Sequence, residues 1–318
     1  MVRYAVRRFL ELLLALFFIA TATFFLTAAA PGDPLIARTM ALPEASRDAM
    51  YEKYGLDKPL LERYAITMKG MVKGDFGESI VYQGQTLPDI IREKLPISAR
   101  LGIQQLVFGV LVGLLLGVIA AMKRETWIDR TIVVFAVILM SVPELVLGLV
   151  FQKYFAGTLK WFPVIGWPSG KDLWFGGWKY TILPTLAGSL FYIAQYSRLL
   201  KTSILDVLDQ DYILTARSKG LSEAKIVRSH IMRNSFIPII TRLPMSFATC
   251  ITGSFLIEKI FSIPGIAAYY IEAVQANDLS IVLGETVFLA ALYIAVLFIT
   301  DILYTVVDPR IRIQGGKR

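Results

Sequence analysis

The sequence predicts an all-α polytopic membrane protein with six transmembrane helices. Its 318 residues are 55% hydrophobic and have a mean hydropathy of +0.58, which is more apolar surface than a soluble domain can bury. Apolar runs, each close to the ~20 residues that cross a bilayer, alternate with charged segments. The net charge of +8 does not indicate a nucleic-acid partner, because the basic residues cluster at the ends of the apolar runs and there set membrane orientation.

The first predicted span covers residues 9–30 and follows Arg3, Arg7 and Arg8. The run is too long for the apolar core of a signal peptide, and further spans follow it. The arginines predict a cytoplasmic N-terminus. Residues 31–95 then form the longest segment between spans. We expect them to be an ordered external segment, because structureless loops of this length are uncommon.

The second span, residues 97–122, contains glycines at every fourth position. Gly109, Gly113 and Gly117 therefore form one smooth stripe that another helix backbone can approach closely. Packing within the chain and packing against another subunit are both compatible with this stripe, and packing within the chain is favoured.

The third span, residues 131–155, has Ser141-Val142-Pro143-Glu144 near its middle. Pro143 is expected to kink the helix, and Ser141 can satisfy the freed backbone groups. A charged Glu144 facing lipid costs roughly 2.5–3.5 kcal/mol, so it should face a watery cavity or a partner. We consider a role in the translocation path and a buried, protonated structural carboxyl as alternatives.

The remaining spans cover residues 180–200, 238–258 and 280–306, which places both termini in the cytoplasm. Ser246, Thr249 and Gly253 share one face of the fifth span, where they pack helices or line a conduit. The loop before the fourth span contains four tryptophans, which predict an aromatic belt at the membrane interface. These are Trp161, Trp167, Trp174 and Trp178.

Residues 211–238 form a polar, basic segment between two apolar runs; we call it the elbow. Its pattern predicts a first helix that ends at Gly220 in a left-handed conformation. A second helix follows, capped by Ser222, with Leu221 and Ile226 as a hydrophobic staple. The predicted exposed apolar ridge consists of Ile213, Ala216 and Leu221.

The elbow resembles the cytoplasmic coupling loop of binding-protein-dependent ABC importer permeases, in particular the dipeptide/oligopeptide branch. The resemblance rests on Thr215-Ala216-Arg217-Ser218-Lys219-Gly220, followed by Asn234-Ser235 and Pro238. Leu214-Thr215-Ala216 stands where the wider family has Glu-Ala-Ala. Further segments resemble the peptide permeases in the same order along the chain. They are Pro31-Gly32-Asp33-Pro34, Tyr54-Gly55-Leu56-Asp57-Lys58-Pro59, Gly74-Asp75-Phe76-Gly77-Glu78-Ser79, Glu258 to Gly265, and Asp308-Pro309-Arg310-Ile311-Arg312.

The resemblance implies the type I ABC importer permease fold and a transmembrane subunit that is not itself an enzyme. By that analogy the chain lies in a bacterial inner or plasma membrane. Its partners are a homologous second permease, two ATPase subunits that bind ATP and Mg²⁺, an extracellular peptide-binding lipoprotein, membrane lipid and the peptide. The chain itself binds no cofactor. The division implied is 1–30 (N-terminus and helix 1), 31–95 (external segment), 96–307 (core, with coupling loop 201–238) and 308–318 (tail).

The resemblance also implies which residues carry function. Ala216 and Gly220 permit close approach of the ATPase, Leu221 supplies apolar contact, and Arg217 and Lys219 pair with acidic residues. The full ATPase-coupling set is Thr215, Ala216, Arg217, Lys219, Gly220 and Leu221. The translocation-path candidates are Glu144, Ser141, Ser246 and Thr249.

Other functions remain open at this point. An ion-coupled secondary transporter would use Glu144 and Asp301, but the sequence has no visible inverted repeat and the elbow would be unexplained. An importer of non-peptide cargo such as nickel and a membrane scaffold are further alternatives. His230, the only histidine, has no Cys or carboxylate cluster in its sequence neighbourhood, so we expect no metal site.

Overall fold

The computed structural model describes residues 2–33, 35–40, 42–82 and 84–307, and nearly all of its regular structure is helical. Pro34 and the 308–312 motif lie outside the described residues. Within the described ranges the extended pairing is one isolated antiparallel bridge between Glu78 and Thr86. The helices are α1 (Val2–Ala29), α2 (Ile36–Thr39), α3 (Glu44–Lys53), α4 (Leu60–Val72), α5 (Leu87–Met122), α6 (Trp127–Ser141), α7 (Glu144–Phe151), α8 (Trp178–Leu208), α9 (Asp211–Ser218), α10 (Glu223–Ile226), α11 (Met232–Ser235), α12 (Ile237–Ile251), α13 (Phe255–Ile260), α14 (Ile266–Gln275) and α15 (Leu279–Val307). π-Helical turns occupy Gln152–Thr158 and Val227–Ile231, and a 3-10 turn occupies Gly170–Asp172.

The chain divides into two compact units. The first combines the residues up to Pro96 with those from Gly265 onward, and the second is Ile97–Pro264. Both candidate sites described below lie within the second unit.

In the first unit, α1 and α15 pack along each other. Ala20 and Phe24 of α1 meet Leu283 and Val287 of α15 in a buried cluster. The segment predicted to be ordered holds α2, α3 and α4. Buried Ser79 attaches this segment to the later part of the chain, because its hydroxyl donates a 2.5 Å hydrogen bond to Asp278.

The second span starts about ten residues earlier than the sequence indicated. We expected it from residue 97, whereas α5 begins at Leu87 and continues through Pro96. Leu87 and Ile90 are fully buried in the first unit, where they pack with Tyr269 and Ile281. Burial of this amphipathic turn, rather than membrane length, sets where the helix begins.

By length and composition, four helical stretches of the described residues are apolar enough to cross a membrane, and a bent helix pair adds a fifth. The four are Ala5–Ala29, Leu87–Met122, Ile237–Ile260 and Leu279–Ile302. The predicted fourth span is α8, which is long enough at 31 residues but less apolar. Its polar residues Thr181, Ser189 and Ser197 are buried against other helices. α8 therefore buries much of its surface against other helices, although Tyr180 and Phe191 stay exposed.

The third span is broken rather than kinked. α6 and the helical stretch that begins at Glu144 meet at a bend of 102°. Val142 is extended (φ −84°, ψ 126°) because the residue before a proline avoids the helical conformation. Pro143 then precedes the first turn of α7. The prediction of one continuous span over residues 131–155 was wrong in this respect.

The loop before α8 is fixed by Arg100, a buried arginine of α5. Its guanidinium donates to the backbone carbonyls of Asp172, Leu173 and Gly176 at 2.5–2.7 Å. It also lies 5.5 Å from the ring of Trp167 and 5.8 Å from that of Trp178. Trp167 therefore belongs to this cluster, and its place in an interfacial belt stays a prediction. Trp161 and Trp174, in contrast, are exposed.

Candidate functional site

The glycine stripe of α5 faces α8 within the second unit. A Cβ atom added at Gly109, Gly113 or Gly117 would come within 2.5–2.9 Å of an atom of α8. Real Cβ atoms essentially never approach so closely, so only glycine permits this helix spacing. The stripe thereby fixes the position of α8, which leads directly into the elbow.

The elbow turns at Gly220 through a Schellman motif. Gly220 has φ +75°, its N–H donates to the carbonyl of Arg217 at 2.9 Å, and Leu221 N–H donates to Ala216 at 3.3 Å. These are the two hydrogen bonds that define the motif. Ser222 occupies the N-cap of α10 by backbone conformation, but its side chain makes no capping hydrogen bond. The predicted side-chain cap was therefore wrong, and the backbone turn supplies the rigidity.

The predicted ridge of the elbow points into the chain's own core. Ile213 and Ala216 are buried with Ile226, and Leu221 packs against the same cluster. A helix presents only part of its circumference, so the side that packs inward cannot also meet a partner. The prediction of an exposed ridge was therefore wrong: Ala216 supports the elbow from inside, as does the partly buried Leu221.

The outer surface of the elbow carries a different set of residues. Leu214 exposes 65% of its surface, and Thr215, Lys219 and Gly220 are also exposed. Arg217 is exposed but pairs with Glu223 of the same elbow at 2.9 Å. Sequence reasoning missed Leu214, although an apolar residue in a basic stretch was a usable signal.

The elbow is attached to α8 by packing and hydrogen bonds. α11 packs against α8, and the hydroxyl of Ser235 donates to the carbonyl of Ser203 at 3.3 Å. Asn234 of α11 donates to the hydroxyl of Tyr212 at 3.0 Å, which joins α11 to α9. The elbow is therefore joined directly to α8.

An ion pair joins α6 to α8 in the part of α8 that approaches the elbow. Lys201 Nζ lies 2.5 Å from Asp129 Oδ1, and both side chains are largely buried. Asp129 also accepts a hydrogen bond from the backbone N–H of Glu125 at 3.1 Å. α6, which leads to the broken span, is thus held to the helix that carries the elbow.

Glu144 begins the helix after the break and lines a cavity of about 290 Å³. Its carboxylate accepts a 3.0 Å hydrogen bond from the hydroxyl of Ser254. Thr249 lines the same cavity. The structure therefore brings together Glu144 and Thr249, two of the four translocation-path candidates.

The other two candidates lie elsewhere. Ser246 is buried, and the hydroxyl of Tyr196 donates to it at 2.9 Å, so in this conformation it joins α12 to α8. Ser141 is exposed, and its hydroxyl returns a 2.7 Å hydrogen bond to the carbonyl of Val137. The hydrogen bond of Ser141 satisfies a backbone carbonyl next to the break at Pro143.

Three further residues of the cavity were not found from the sequence. Gln105, Tyr192 and Ser254 line it with Glu144, but they are distant from one another along the chain. A polar pair inside an apolar run, Gln104-Gln105, was the one available signal. No described group of three or more His, Cys, Asp and Glu side chains has a geometry suited to a metal ion.

Two protein-family models match this chain, one in each half. The family model for binding-protein-dependent transport system inner membrane components matches residues 113–313, and the N-terminal model for such membrane components matches residues 1–101. A chain in an inward-facing structure of the MetNI methionine ABC transporter is similar in fold, with a TM-score of 0.53 at 14% identity. The match covers 69% of this chain and 96% of that chain.

Curated relatives are similar over almost the whole length. The dipeptide transport system permease protein DppB of Lactococcus lactis is 38% identical over 313 residues, covering 98% of this chain and 100% of the relative. The oligopeptide transport system permease protein OppB of Salmonella typhimurium is 36% identical over 312 residues, with 98% and 100% covered. With its apolar helices, this chain is a multi-pass membrane permease. It belongs to the inner-membrane component family of binding-protein-dependent transport systems.

Proposed function

We propose that this chain is the permease subunit of an ATP-driven importer of dipeptides or oligopeptides. The observation that carries this proposal is the similarity to dipeptide and oligopeptide permeases over nearly the full length, because it includes the segment between α1 and α5 as well as the membrane core. The chain moves its cargo by alternating access and does not itself catalyse a reaction.

In this proposal the chain works in a complex in a bacterial cell membrane. Its partners are a homologous second permease, two ATPase subunits that hold ATP and Mg²⁺, and an extracellular peptide-binding lipoprotein. Both termini and the elbow lie in the cytoplasm. The basic side chains of Arg7 and Arg8 at the start of α1, and of Lys123 and Arg124 after α5, support this orientation, because such residues are enriched on the cytoplasmic side.

The elbow acts as the lever between the ATPase and the membrane helices. Its Schellman turn and buried cluster make it stiff, and its hydrogen bonds to α8 carry its motion into the second unit. Closure of the ATPase subunits around ATP moves the elbow as a rigid body. For this motion to drive transport, the ATP-bound ATPases must bind the outward-facing state more tightly, since contact without differential affinity shifts no equilibrium.

Docking on the ATPase uses the exposed face of the elbow. Leu214 supplies the apolar contact, Lys219 supplies positive charge, and the bare backbone at Gly220 allows close approach. Thr215 and Arg217 belong to the same face. Ala216 and Leu221 contribute indirectly, because they hold this face in shape from the core.

Reconstituted uptake tests the proposal. The complex in proteoliposomes is expected to accumulate a labelled tripeptide when ATP is inside and to stop when ATP is removed. Uptake that continues without ATP and collapses with the ion gradient would identify an ion-coupled transporter instead.

Leu214→Asp tests the docking face. Burying a leucine side chain is worth about 2 kcal/mol, so its loss should weaken docking roughly thirtyfold. We expect ATP-dependent uptake to fall by at least tenfold while the permease still inserts in the membrane, because Leu214 is mostly exposed. Leu214→Met keeps the apolar surface and is the matched control, with uptake near that of the wild type. Normal uptake by Leu214→Asp would contradict docking through this face.

A further inference from the structure

The cavity beside Glu144 is small and formed by five helices of the second unit. α5 contributes Gln105, α7 contributes Glu144, α8 contributes Tyr192, and the α12–α13 region contributes Thr249 and Ser254. Its volume of about 290 Å³ is at the lower limit of small-molecule sites, which span ~300–1,000 Å³. It therefore accommodates one end of a peptide rather than a whole oligopeptide.

The cavity wall contains one carboxyl group and no cationic side chain. Among the residues that line the cavity, all of which are described, Glu144 is the only Asp, Glu, Lys, Arg or His. Its carboxyl accepts a hydrogen bond from the hydroxyl of Ser254, and no cationic side chain lines the cavity. A carboxylate at a break between helices of a membrane protein is costly unless it serves a cation or a watery path.

Thr249 and Gln105 bring oxygen acceptors to the wall beside Glu144. Thr249 donates its hydroxyl proton to the backbone carbonyl of Ser246 at 2.9 Å and makes a side-chain hydrogen bond with Tyr192; a hydroxyl oxygen can accept two hydrogen bonds. Gln105 engages its amide nitrogen with the carbonyl of Pro184 at 3.3 Å, and its amide oxygen stays an acceptor. A primary ammonium, with three N–H donors and no acceptor, is the complement of such a wall.

Aromatic rings complete the wall. Phe191 and Tyr192 both line the cavity, with ring centroids 6.0 Å apart in an edge arrangement. Ring faces attract organic cations. A carboxylate, oxygen acceptors and aromatic rings together favour an ammonium group over a metal ion, which would require more oxygen ligands.

We propose that Glu144 binds the free α-amino group of a peptide in transit, and that the permease thereby selects for an unblocked N-terminus. This inference rests on the proposed function, because it takes the cargo to be a peptide. It adds a selection step within the membrane, after the peptide has left the binding protein.

Ligand-observed NMR on the complex tests the inference directly. The probes are trialanine and N-acetyl-trialanine, which differ in the charged amino group. Dissociation constants are measured by saturation transfer on the permease–ATPase complex in nanodiscs, without the binding protein, so that only the permease selects. We expect wild-type complex to bind trialanine at least tenfold more tightly than the acetylated peptide.

Glu144→Gln removes the charge and keeps the side-chain shape. We expect it to raise the dissociation constant of trialanine at least tenfold and to leave that of acetyl-trialanine unchanged. Glu144→Asp keeps the charge and should retain a preference for trialanine. The matched control is Glu125→Gln, the same substitution at an exposed carboxylate between α5 and α6, with both dissociation constants as in the wild type.

Three results would overturn the inference. They are equal binding of both peptides by wild-type complex, an unchanged preference in Glu144→Gln, and an equal loss of both peptides in Glu144→Gln, which would indicate a structural role. If Glu144→Gln fails to assemble, the wild-type and Glu144→Asp preferences decide the question. Tripeptide uptake by wild-type proteoliposomes separates the two proposals: uptake without amino-group preference refutes only the Glu144 site, whereas absence of ATP-driven uptake refutes peptide import itself.

Discussion

Gly102 of α5 marks the closest approach between two helices of the second unit. A Cβ atom added there would lie 1.8 Å from the carbonyl oxygen of Cys250 in α12 and 2.6 Å from its carbonyl carbon. Ordinary contact begins at 3.4 Å, so Gly102→Ala forces the two backbones apart by about 1.6 Å. A carbonyl of a helix cannot rotate away as a side chain can.

Two opposing effects set the magnitude. Overpacking a core by one methyl group costs ~1–3 kcal/mol, and a backbone clash of this size belongs at the upper end. Alanine is a better helix former than glycine by ~1 kcal/mol. The net loss is therefore about 2 kcal/mol, or a roughly thirtyfold fall in the ratio of folded to unfolded protein. Since α12 carries Thr249 and Cys250 into the cavity wall, its displacement should also slow uptake.

The assay is the temperature at which half of the purified complex remains folded, together with peptide uptake. Gly157→Ala is the matched control, because a Cβ there has its nearest neighbour at 3.7 Å, the carbonyl oxygen of Gln152. We expect Gly102→Ala to melt at a lower temperature than the wild type and Gly157→Ala to melt at an equal or higher one. A Gly102→Ala protein as stable as Gly157→Ala would refute the packing argument.

Two further perturbations probe the helices around the sites. Lys201→Met leaves buried Asp129 without its ion-pair partner and should destabilise the protein by ~3 kcal/mol. Adding Asp129→Asn should recover much of the lost thermal stability. No recovery would show that the unpaired charge is not the cause. Arg100→Met releases three loop carbonyls, so trypsin should cleave faster after exposed Lys171. Cleavage after Lys123 is the internal reference. Equal rates in mutant and wild type would contradict the role of Arg100 in holding the loop.

The elbow could be predicted in outline because its signals are local. A glycine with φ +75° after a short helix, followed by Leu221 and Ile226 at staple spacing, is set by backbone chemistry within a few residues. The orientation of the elbow was not predictable in this way. Ile213 and Ala216 looked like a free apolar ridge, but they pack on core residues from other parts of the chain.

The cavity, too, was predictable only where its signals are local in sequence. Pro143 and Glu144 indicated a kink with an unusual carboxylate, because a proline and a carboxylate are both disfavoured inside a membrane helix. Ser254 and Gln105, which complete the cavity, lie far from Glu144 in sequence. Nothing short of the packed structure relates these positions.

The sequence by itself determined the membrane class, the approximate positions of the helices, the turn at Gly220 and the family. These properties follow from composition, from the length of apolar runs and from short-range backbone preferences. Only the tertiary structure decided which polar side chains of α8 are buried, that Leu214 rather than Ala216 faces outward, and that Thr249 joins Glu144 while Ser246 does not. The physical reason is that lipid is as apolar as a protein core, so hydrophobicity along a membrane helix does not distinguish its buried face from its outer face.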